Sequence, residues 1–257
     1  MKPSAAPAAS GPRGGADASL LSADETKRYA RHLVLKGMGG IGQQRLKAAR
    51  IAVVGAGGLG SPAIAYLAGA GVGRLGIFDA DTVSLSNLQR QVIHRSDAIG
   101  TNKAESAGAF VSALNPHVDL DIHPVMLGEA NARDLLEDYD VVLDGTDNLV
   151  TRRAVAQAAQ ALRKPLVSGA VSTFSGQVTV FAPHLGGPPH EALFHAEASD
   201  DALPSCEANG IIGPVTGVIG TLMAMEAIKL VTGTGTPLIG RVLLYDARDA
   251  RFEEIGY

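Results

Sequence analysis

The sequence contains a single cysteine and no tryptophan among its 257 residues. One cysteine excludes a disulfide framework and any zinc or iron–sulfur site built from several cysteines of this chain. Aromatic residues make up only 4%, which disfavours aromatic cages and platforms for stacking nucleic-acid bases. The chemistry of the chain must therefore rest on other residue types.

A surplus of basic residues is also missing. The chain has 22 lysines and arginines against 26 acidic residues, for a formal net charge of −4. Nothing electrostatic favours general binding of nucleic acid or of an anionic membrane. Hydrophobic residues at 46% and charged residues at 19% are typical of a globular chain.

Residues 1–20 differ in composition from the rest, since 15 of them are Ala, Gly, Pro or Ser. No long apolar run follows Lys2, so these residues are predicted to be a disordered tail and not a secretory signal. Ordered structure is expected from the capping-box pattern at Ser22, as one helix over 22–35 and a second over 43–49. We expect a single domain over 21–257.

Short apolar runs alternate with helical segments in the first two thirds of the chain. This alternation predicts a doubly wound, Rossmann-like α/β sheet whose first half is parallel. After residue 170 the runs alternate apolar with polar residues, which predicts antiparallel strands added at the C-terminal end and hence a mixed sheet. The predicted strands cover 50–54, 74–78, 140–144, 165–168, 176–181, 242–245 and 251–255.

Residues 210–228 form the longest apolar stretch, with Glu226 as its only charge. Pro214 and several glycines interrupt it, and Lys229 follows directly. These features predict a buried helix at a packed interface and not a membrane span.

A glycine-rich loop follows the first predicted strand, with glycines at 55, 57, 58 and 60. Gly55 allows a tight turn, Gly57 lets backbone approach a phosphate, and Gly60 lets the helix pack closely on the strand. Asp79 ends the next strand, 24 residues after Gly55, where it is placed to accept a hydrogen bond from a ribose hydroxyl. This pattern indicates an adenine nucleotide but does not separate NAD or FAD from ATP.

Charged and amide side chains follow that strand closely, at Asp81, Asn87, Arg90 and Lys103. Arginine offers phosphate oxygens a bidentate fork and lysine a point charge, so these cations suit a polyphosphate better than a nicotinamide. The alternative is a solvated charged surface, which spacing alone leaves open.

A second polar cluster ends the strand over 140–144. Asp144 and Asp147 lie at its carboxyl end, where doubly wound sheets bind ligands, and proteins usually hold magnesium with carboxylates and substrate phosphates. Alternatively, Asp147 or Asn148 caps the following helix, and both interpretations can hold for different residues.

Taken together, these segments resemble the ThiF/MoeB/HesA family, the bacterial relatives of ubiquitin-activating enzymes, over about residues 22–257. The glycine loop alone would be weak, whereas the whole series in one order is specific. The matching segments are 28–32 (RYARH), 55–60 (GAGGLG), 79–81 (DAD), 87–91 (NLQRQ), Lys103, 144–148 (DGTDN) and 217–229 (GVIGTLMAMEAIK).

The resemblance implies a cytoplasmic adenylyltransferase that acts on the C-terminal glycine of a small ubiquitin-like sulfur carrier, MoaD- or ThiS-like. It implies ATP and magnesium, release of pyrophosphate, and a separate sulfur donor. Carriers of molybdopterin, thiamin, cysteine and thiocarboxylate-siderophore pathways all fit. By similarity Arg31 reaches the ATP of the neighbouring subunit, which implies a twofold homodimer. The residues expected at ATP are Gly55, Gly57, Gly58, Gly60, Asp79, Asp81, Asn87, Arg90 and Lys103, with Asp147 holding magnesium.

The segment 182–210 departs from that family in one respect. Many members carry two Cys-x-x-Cys pairs that bind zinc, but this chain has Pro-His-Glu-Ala-Leu-Phe where the first would fall and stops before the second. We therefore expect no structural zinc, because His184, His190, His195 and Cys206 match no common zinc spacing. Members of the family use this segment as a crossover loop over the carrier tail.

Cys206 matches a cysteine that some relatives use for a thioester, acyl-disulfide or persulfide. The alternative is an inert thiol, which is the usual state of a lone cysteine. Two further hypotheses stay open at this point, a dinucleotide-dependent oxidoreductase and a non-catalytic module that binds a carrier protein.

Overall fold

The computed structural model describes residues 20–194 and 210–257. Its centre is an eight-stranded sheet in the order β3-β2-β1-β4-β5-β6-β7-β8. The first five strands of this order are parallel, and β6, β7 and β8 continue the sheet antiparallel, as predicted. The strands are β1 (Arg50–Val54), β2 (Arg74–Phe78), β3 (Asp119–His123), β4 (Val141–Asp144), β5 (Leu166–Ser172), β6 (Ser175–Phe181), β7 (Arg241–Asp246) and β8 (Arg251–Gly256).

Helices cover both faces of the parallel strands, so that alternate residues of β1 enter two different cores. Ile51 and Val53 pack with α3, α4, α5 and α8, whereas Ala52 and Val54 pack with α6 and α7. Burial on both faces explains why the central strands are continuous apolar runs. The helices are α1 (Ala23–Arg28), α2 (Ala30–Leu33), α3 (Gly39–Ala48), α4 (Gly60–Ala70), α5 (Lys103–Leu114), α6 (Ala132–Leu136), α7 (Leu149–Ala161) and α8 (Gly213–Thr232).

The strand order reverses between β1 and β4, which lie side by side at the centre of the sheet. The register aligns Val54 with Phe78 of β2 and with Asp144 of β4, so three strands end level with one another. In open α/β sheets the ligand crevice lies outside the carboxyl ends of strands at such a reversal. The sheet therefore places the loops after β1, β2 and β4 around one crevice.

The sequence predicted one continuous helix over 22–35, but the structure has two short helices there, α1 and α2. The capping box is present, since the Ser22 hydroxyl accepts from the Glu25 N–H at 3.2 Å and the Ser22 N–H donates to Glu25 Oε2 at 2.7 Å. Helix α1 ends at Arg28, and Tyr29 is its C-cap residue. The buried ring of Tyr29 lies against Gly71, and its hydroxyl accepts from Asn115 Nδ2 at 2.9 Å. Tertiary packing of this one side chain breaks the helix in two.

Three elements were not predicted, namely α5, β3 and α6. Strand β3 lies at the edge of the sheet and alternates aspartate with apolar residues, so it lacks the apolar run that marks the central strands. Helix α3 begins at Gly39, inside the glycine run that was expected to separate two helices. The predicted disorder of residues 1–20 falls, apart from Leu20, outside the described residues.

Helix α8 contains the long apolar stretch. By length and composition it could cross a membrane, but half of its most apolar window is buried inside this fold, where it packs on α4, β5 and β6. The Glu226 carboxylate accepts from the Leu238 N–H at 2.9 Å and pairs with Lys229. The charges that interrupt the stretch are thus satisfied within the protein, and the predicted buried helix is confirmed.

Two glycines of α8 provide a matched test of this packing. A Cβ on Gly220 would lie 2.3 Å from the Leu59 carbonyl oxygen, whereas one on Gly217 would meet nothing within 4 Å. We predict that Gly220→Ala lowers the free energy of unfolding by about 1–3 kcal/mol through overpacking. Gly217→Ala should raise it by about 0.5–1 kcal/mol through helix propensity. Urea unfolding measures both, and equal effects would contradict the packing described here.

Candidate functional site

A cleft of about 280 Å³ opens at the carboxyl ends of β1, β2 and β4. Its walls come from the glycine loop, the segment after β2, the start of α5 and the turn between β4 and α7. The structure thus brings together residues that the sequence predicted separately. Predicted site residues that line the cleft are Gly55, Gly57, Gly58, Asp79, Asp81, Arg90, Lys103 and Asp147.

The glycine loop adopts the close packing that its sequence predicted. Gly55 has φ +91°, a left-handed conformation that glycine adopts without strain. A Cβ on Gly60 would lie 1.8 Å from the Gly55 carbonyl oxygen, so no larger residue fits between loop and helix. The expected roles of Gly55 and Gly60 are confirmed, and Gly60 acts from behind the cleft wall. An approach of Gly57 to phosphate stays a prediction.

One residue of this loop, Ala56, is held at both of its backbone polar groups. The Ala56 N–H donates to Asp79 Oδ2 at 2.8 Å, and the Ala56 carbonyl accepts from His94 Nε2 at 2.9 Å. Because a carbonyl can only accept, His94 carries its proton on Nε2, and Nδ1 accepts from the Ser106 hydroxyl at 2.9 Å. Burial lowers the pKa of His94, which favours this neutral form.

Asp79 lies where the sequence placed it, at the end of β2 and in the cleft wall. Its Oδ1 accepts from the Asp81 N–H at 2.9 Å. Burial is the largest influence on this carboxyl group and raises its pKa above the ordinary value of 3.8, although the two backbone hydrogen bonds act in the opposite direction. A partly desolvated carboxylate beside the glycine loop can accept a hydroxyl hydrogen bond from a ligand.

Lys103 is the first residue of α5 and is almost fully buried, at 7% exposed. Its Nζ donates to Asp81 Oδ2 at 2.8 Å, whereas the Asp81 side chain is largely in solvent. The N-cap residue Asn102 fixes the start of the helix, because its Oδ1 accepts from the Ala104 N–H at 2.8 Å. The ammonium is therefore held at the cleft by a partner that water can reach.

Residues of the segment 87–91 differ in whether they line the cleft. Arg90 lines the cleft, and its guanidinium donates to the Ser86 carbonyl at 3.2 Å. Gln91 also lines the cleft, and its buried Oε1 has no hydrogen-bond partner among the described residues. Asn87 does not line the cleft, because its Oδ1 accepts from the Ser84 N–H at 3.3 Å and caps a short 3₁₀ turn.

Three polar side chains at the turn after β4 make different contacts. Asn148 caps α7, since its Oδ1 accepts from the Thr151 N–H at 2.8 Å. Asp144 is fully buried and pairs with Arg152 at 3.1 Å. Asp147 is exposed at the cleft, and no hydrogen bond or ion pair engages its carboxylate within the described part of the chain. The capping interpretation holds for Asn148, and the ligand interpretation stays a prediction for Asp147.

The sequence did not predict two residues of the cleft region, His94 and Arg152. His94 is a lone histidine in an irregular segment, and no spacing marks it. Arg152 lies one turn into an Ala- and Gln-rich helix, where an arginine looks like a surface charge. The only signal for Arg152 was its position eight residues after a buried strand-end aspartate.

The remaining predicted residues lie away from the cleft or outside the described ranges. Arg31 is exposed on α2 and does not line the cleft of its own chain. Cys206 and His195 fall in 195–209, outside the described residues. His184 and His190 are described, and each has one buried ring nitrogen without a hydrogen-bond partner there. No group of three metal-ligating side chains occurs within 20–194 and 210–257, and the expected absence of zinc stays a prediction.

Known proteins are similar in sequence to this chain over nearly all of its length. A probable adenylyltransferase/sulfurtransferase MoeZ of Mycobacterium tuberculosis is 45% identical over 93% of this chain, which spans 62% of that protein. A sulfur carrier protein adenylyltransferase of Thermus thermophilus is 46% identical over 90% of this chain and 87% of its own length. An adenylyltransferase and sulfurtransferase MOCS3 of Anopheles gambiae is 43% identical over 91% of this chain, which spans about half (53%) of that protein.

Solved structures show the same architecture at lower identity. PaaA superposes with a TM-score of 0.78 at 22% identity, over 95% of this chain and 76% of that one. A structure of Escherichia coli MccB with ATP gives a TM-score of 0.76 at 20% identity, over 89% and 71%. At these identities the likeness establishes the fold alone. The ThiF family model matches residues 29–256, and the chain therefore belongs to the ThiF family.

Proposed function

We propose that this chain transfers AMP from ATP to the C-terminal carboxylate of a ubiquitin-like sulfur-carrier protein. The observation that carries the proposal is the cleft itself, in which Arg90, Lys103 and the open carboxylate of Asp147 surround the glycine loop. A relative matched over 87% of its length is named a sulfur carrier protein adenylyltransferase. Activation for sulfur transfer and a separate sulfur donor belong to the same proposal.

The reaction joins a carrier carboxylate oxygen to the α-phosphorus and breaks the bond from that phosphorus to the pyrophosphate oxygen. The carboxylate is already ionised near pH 7, so no general base has to act. The barrier comes from bringing one anion to another and from charge that develops on the phosphate oxygens. Fixed cations lower such a barrier, and we assign this task to Arg90 and Lys103, which line the cleft.

Magnesium fits the donor set of the cleft. Proteins usually hold this ion with one or two carboxylates plus substrate phosphates. Asp144 is engaged by Thr146, Ser168 and Arg152. Of the carboxylates that line the cleft, Asp79 accepts from two backbone N–H groups and Asp81 from Lys103. Asp147 is thus the carboxylate among the described residues that would hold the ion. Bound there, magnesium would supply charge compensation at the phosphates.

The other cleft residues receive roles that follow from their contacts. Asp79 would accept a ribose hydroxyl, and the buried Gln91 Oε1, which lacks a partner in the described residues, is free to accept from the nucleotide. Asp81 would act indirectly, by holding Lys103 at the cleft before ATP binds. These side chains favour a polyphosphate over a nicotinamide and so disfavour the oxidoreductase hypothesis.

Arg31 has a different place in the proposal. It is exposed and lies outside the cleft of its own chain, which agrees with a role at the nucleotide of a twofold-related subunit. We propose a homodimer on this basis, with a cytoplasmic location. The same proposal includes Cys206 as a candidate for covalent chemistry.

The proposal is tested by carrier-dependent exchange of radiolabelled pyrophosphate into ATP, assayed with candidate MoaD- and ThiS-like carriers. Lys103→Met should lower the exchange rate by about 10²–10³-fold, because it removes a cation that acts on the transition state. Lys27→Met is the matched control, since Lys27 is a solvent-exposed lysine of α1, and it should leave the rate unchanged. Carrier binding without exchange in the wild type would favour the non-catalytic module instead.

Mixing two inactive variants tests the proposed dimer. Arg31→Ala and Lys103→Met each spoil every site of their own homodimer. If Arg31 acts on the partner's nucleotide, a mixed dimer has one site with both changes and one intact site. Equal mixing after subunit exchange should therefore restore about a quarter of the wild-type exchange rate. No recovery in verified mixed dimers would place Arg31 in the site of its own subunit, and an active Arg31→Ala variant would place it in neither site.

The raised pKa of Asp79 predicts how nucleotide affinity depends on pH. As pH falls through that raised value, the carboxylate is protonated and loses its acceptor role, so ATP affinity should fall at a higher pH than for an ordinary aspartate. Because the folded pKa lies above the unfolded one, this protonation does not destabilise the fold. Titration with a fluorescent ATP analogue measures the profile.

Asp79→Asn is the control for that profile. It should weaken binding about tenfold near pH 7, since a hydrogen bond to a charged acceptor is lost, and it should remove this pH-dependent component. Superimposable pH profiles for wild type and variant would show that Asp79 does not meet the nucleotide.

A further inference from the structure

A buried ion pair lies directly behind the turn that carries Asp147. Asp144 ends β4 at 0% exposed, and Arg152 in the first turns of α7 is 4% exposed. Arg152 Nη1 lies 3.1 Å from Asp144 Oδ2. Burying two charges is costly, and such a pair is weak grounds for stability by itself. Its contacts show what else it does.

The Asp144 carboxylate holds the turn from the side of β4. Its Oδ1 accepts from the Thr146 N–H at 3.1 Å and from the Thr146 hydroxyl at 2.6 Å. Its Oδ2 accepts from the Ser168 hydroxyl at 3.3 Å, in addition to facing Arg152. The carboxylate is therefore saturated by the residue before Asp147 and by the neighbouring strand.

Arg152 holds the same turn from the side of α7. Its Nη2 donates to the Thr146 carbonyl at 2.7 Å and to the Gly169 carbonyl at 2.9 Å, and its Nη1 donates to the Ser168 hydroxyl at 2.7 Å. The ring of Phe194 covers the guanidinium at 5.7 Å. The planar fork thus ties α7 and β5 to the turn through fixed directions that a lysine ammonium cannot reproduce.

Thr146 is consequently fixed at both of its backbone polar groups, with its N–H on Asp144 and its carbonyl on Arg152. The carbonyl of Thr146 belongs to the peptide that leads into Asp147, and holding that peptide limits the directions available to the Asp147 side chain. Arg152 and its partner Asp144 together join β4, β5, α7 and this turn at one point. The arrangement has the form of an outer layer that orients a ligand residue.

We infer that Arg152 is a positioning residue, which aims the Asp147 carboxylate at the divalent cation of the nucleotide complex through the Thr146 carbonyl. The inference rests on the proposed role of Asp147. It differs from the direct assignments because both terminal nitrogens of Arg152 are engaged within the fold, so Arg152 does not have to touch ATP.

The test measures two affinities of the protein by isothermal titration calorimetry, one for the Mn²⁺–ATP complex and one for ATP in EDTA. The readout is the first affinity divided by the second. This ratio reports what the metal contributes, independently of catalysis. Arg152→Lys should lower the ratio by about tenfold or more, as loss of an orienting partner does at other metal sites. Ser168→Ala should lower it less, because the ion pair and the contact to Thr146 persist. Arg133→Lys, at an exposed arginine of α6, should leave it unchanged.

A double-mutant cycle with Asp147→Asn separates positioning from general damage. If Arg152 acts through Asp147, Arg152→Lys should not change the ratio further once Asp147→Asn is present. A folded Arg152→Lys protein with the wild-type ratio would overturn the inference, as would equal losses of affinity with and without metal. Should Arg152→Lys fail to fold, an unchanged ratio in Ser168→Ala overturns it.

Failure of the proposed function gives a different pattern. It would appear as wild-type protein that binds Mn²⁺–ATP but shows no carrier-dependent exchange, and the ratio would still report on Arg152. A wild-type ratio near one would overturn both the magnesium assignment and this inference.

Discussion

The level ends of three parallel strands are the constraint on which the site depends. Because Val54, Phe78 and Asp144 share one register, the glycine loop, the acidic segment after β2 and the Asp147 turn must meet at one edge of the sheet. A slip of one strand by a residue would turn its side chains to the opposite face and separate these loops. Continuous burial on both sides of the central strands holds the register.

Preorganisation is the second property of the cleft. The backbone N–H and carbonyl of Ala56 are held by Asp79 and His94, and those of Thr146 by Asp144 and Arg152. Dipoles and charges fixed before the reaction cost no reorganisation when negative charge develops. The fold therefore places its polar groups by hydrogen bonds to backbone, which rotation of a side chain cannot easily undo.

The sequence predicted the parts of the fold that local pattern determines. Strands buried on both faces gave apolar runs, and the glycine loop followed from the steric needs of Gly55 and Gly60. The edge strand β3 was not predicted, because it is half-solvated and lacks a continuous apolar run. The helix break at Tyr29 was not predicted, because it depends on a contact with Asn115, which is remote in sequence.

Site residues were likewise predictable from the sequence only where a local pattern marks them. Residues with a spacing signal, such as Asp79 and Asp147, line the cleft, whereas the tasks of Asn87 and Asp81 became clear only from their partners. His94 and Arg152 had no signal, since each acts through contacts with distant segments. The predicted role of Arg31 depends on a second subunit and stays a prediction.

The most direct test of the proposed chemistry is a crystal structure with magnesium and a non-hydrolysable ATP analogue. If fixed cations make attack of one anion on another possible, Lys103 Nζ should leave Asp81 and lie within about 3 Å of a phosphate oxygen, with Arg90 at the triphosphate. A nucleotide bound with Lys103 still on Asp81 and with Arg90 turned to solvent would contradict the proposal.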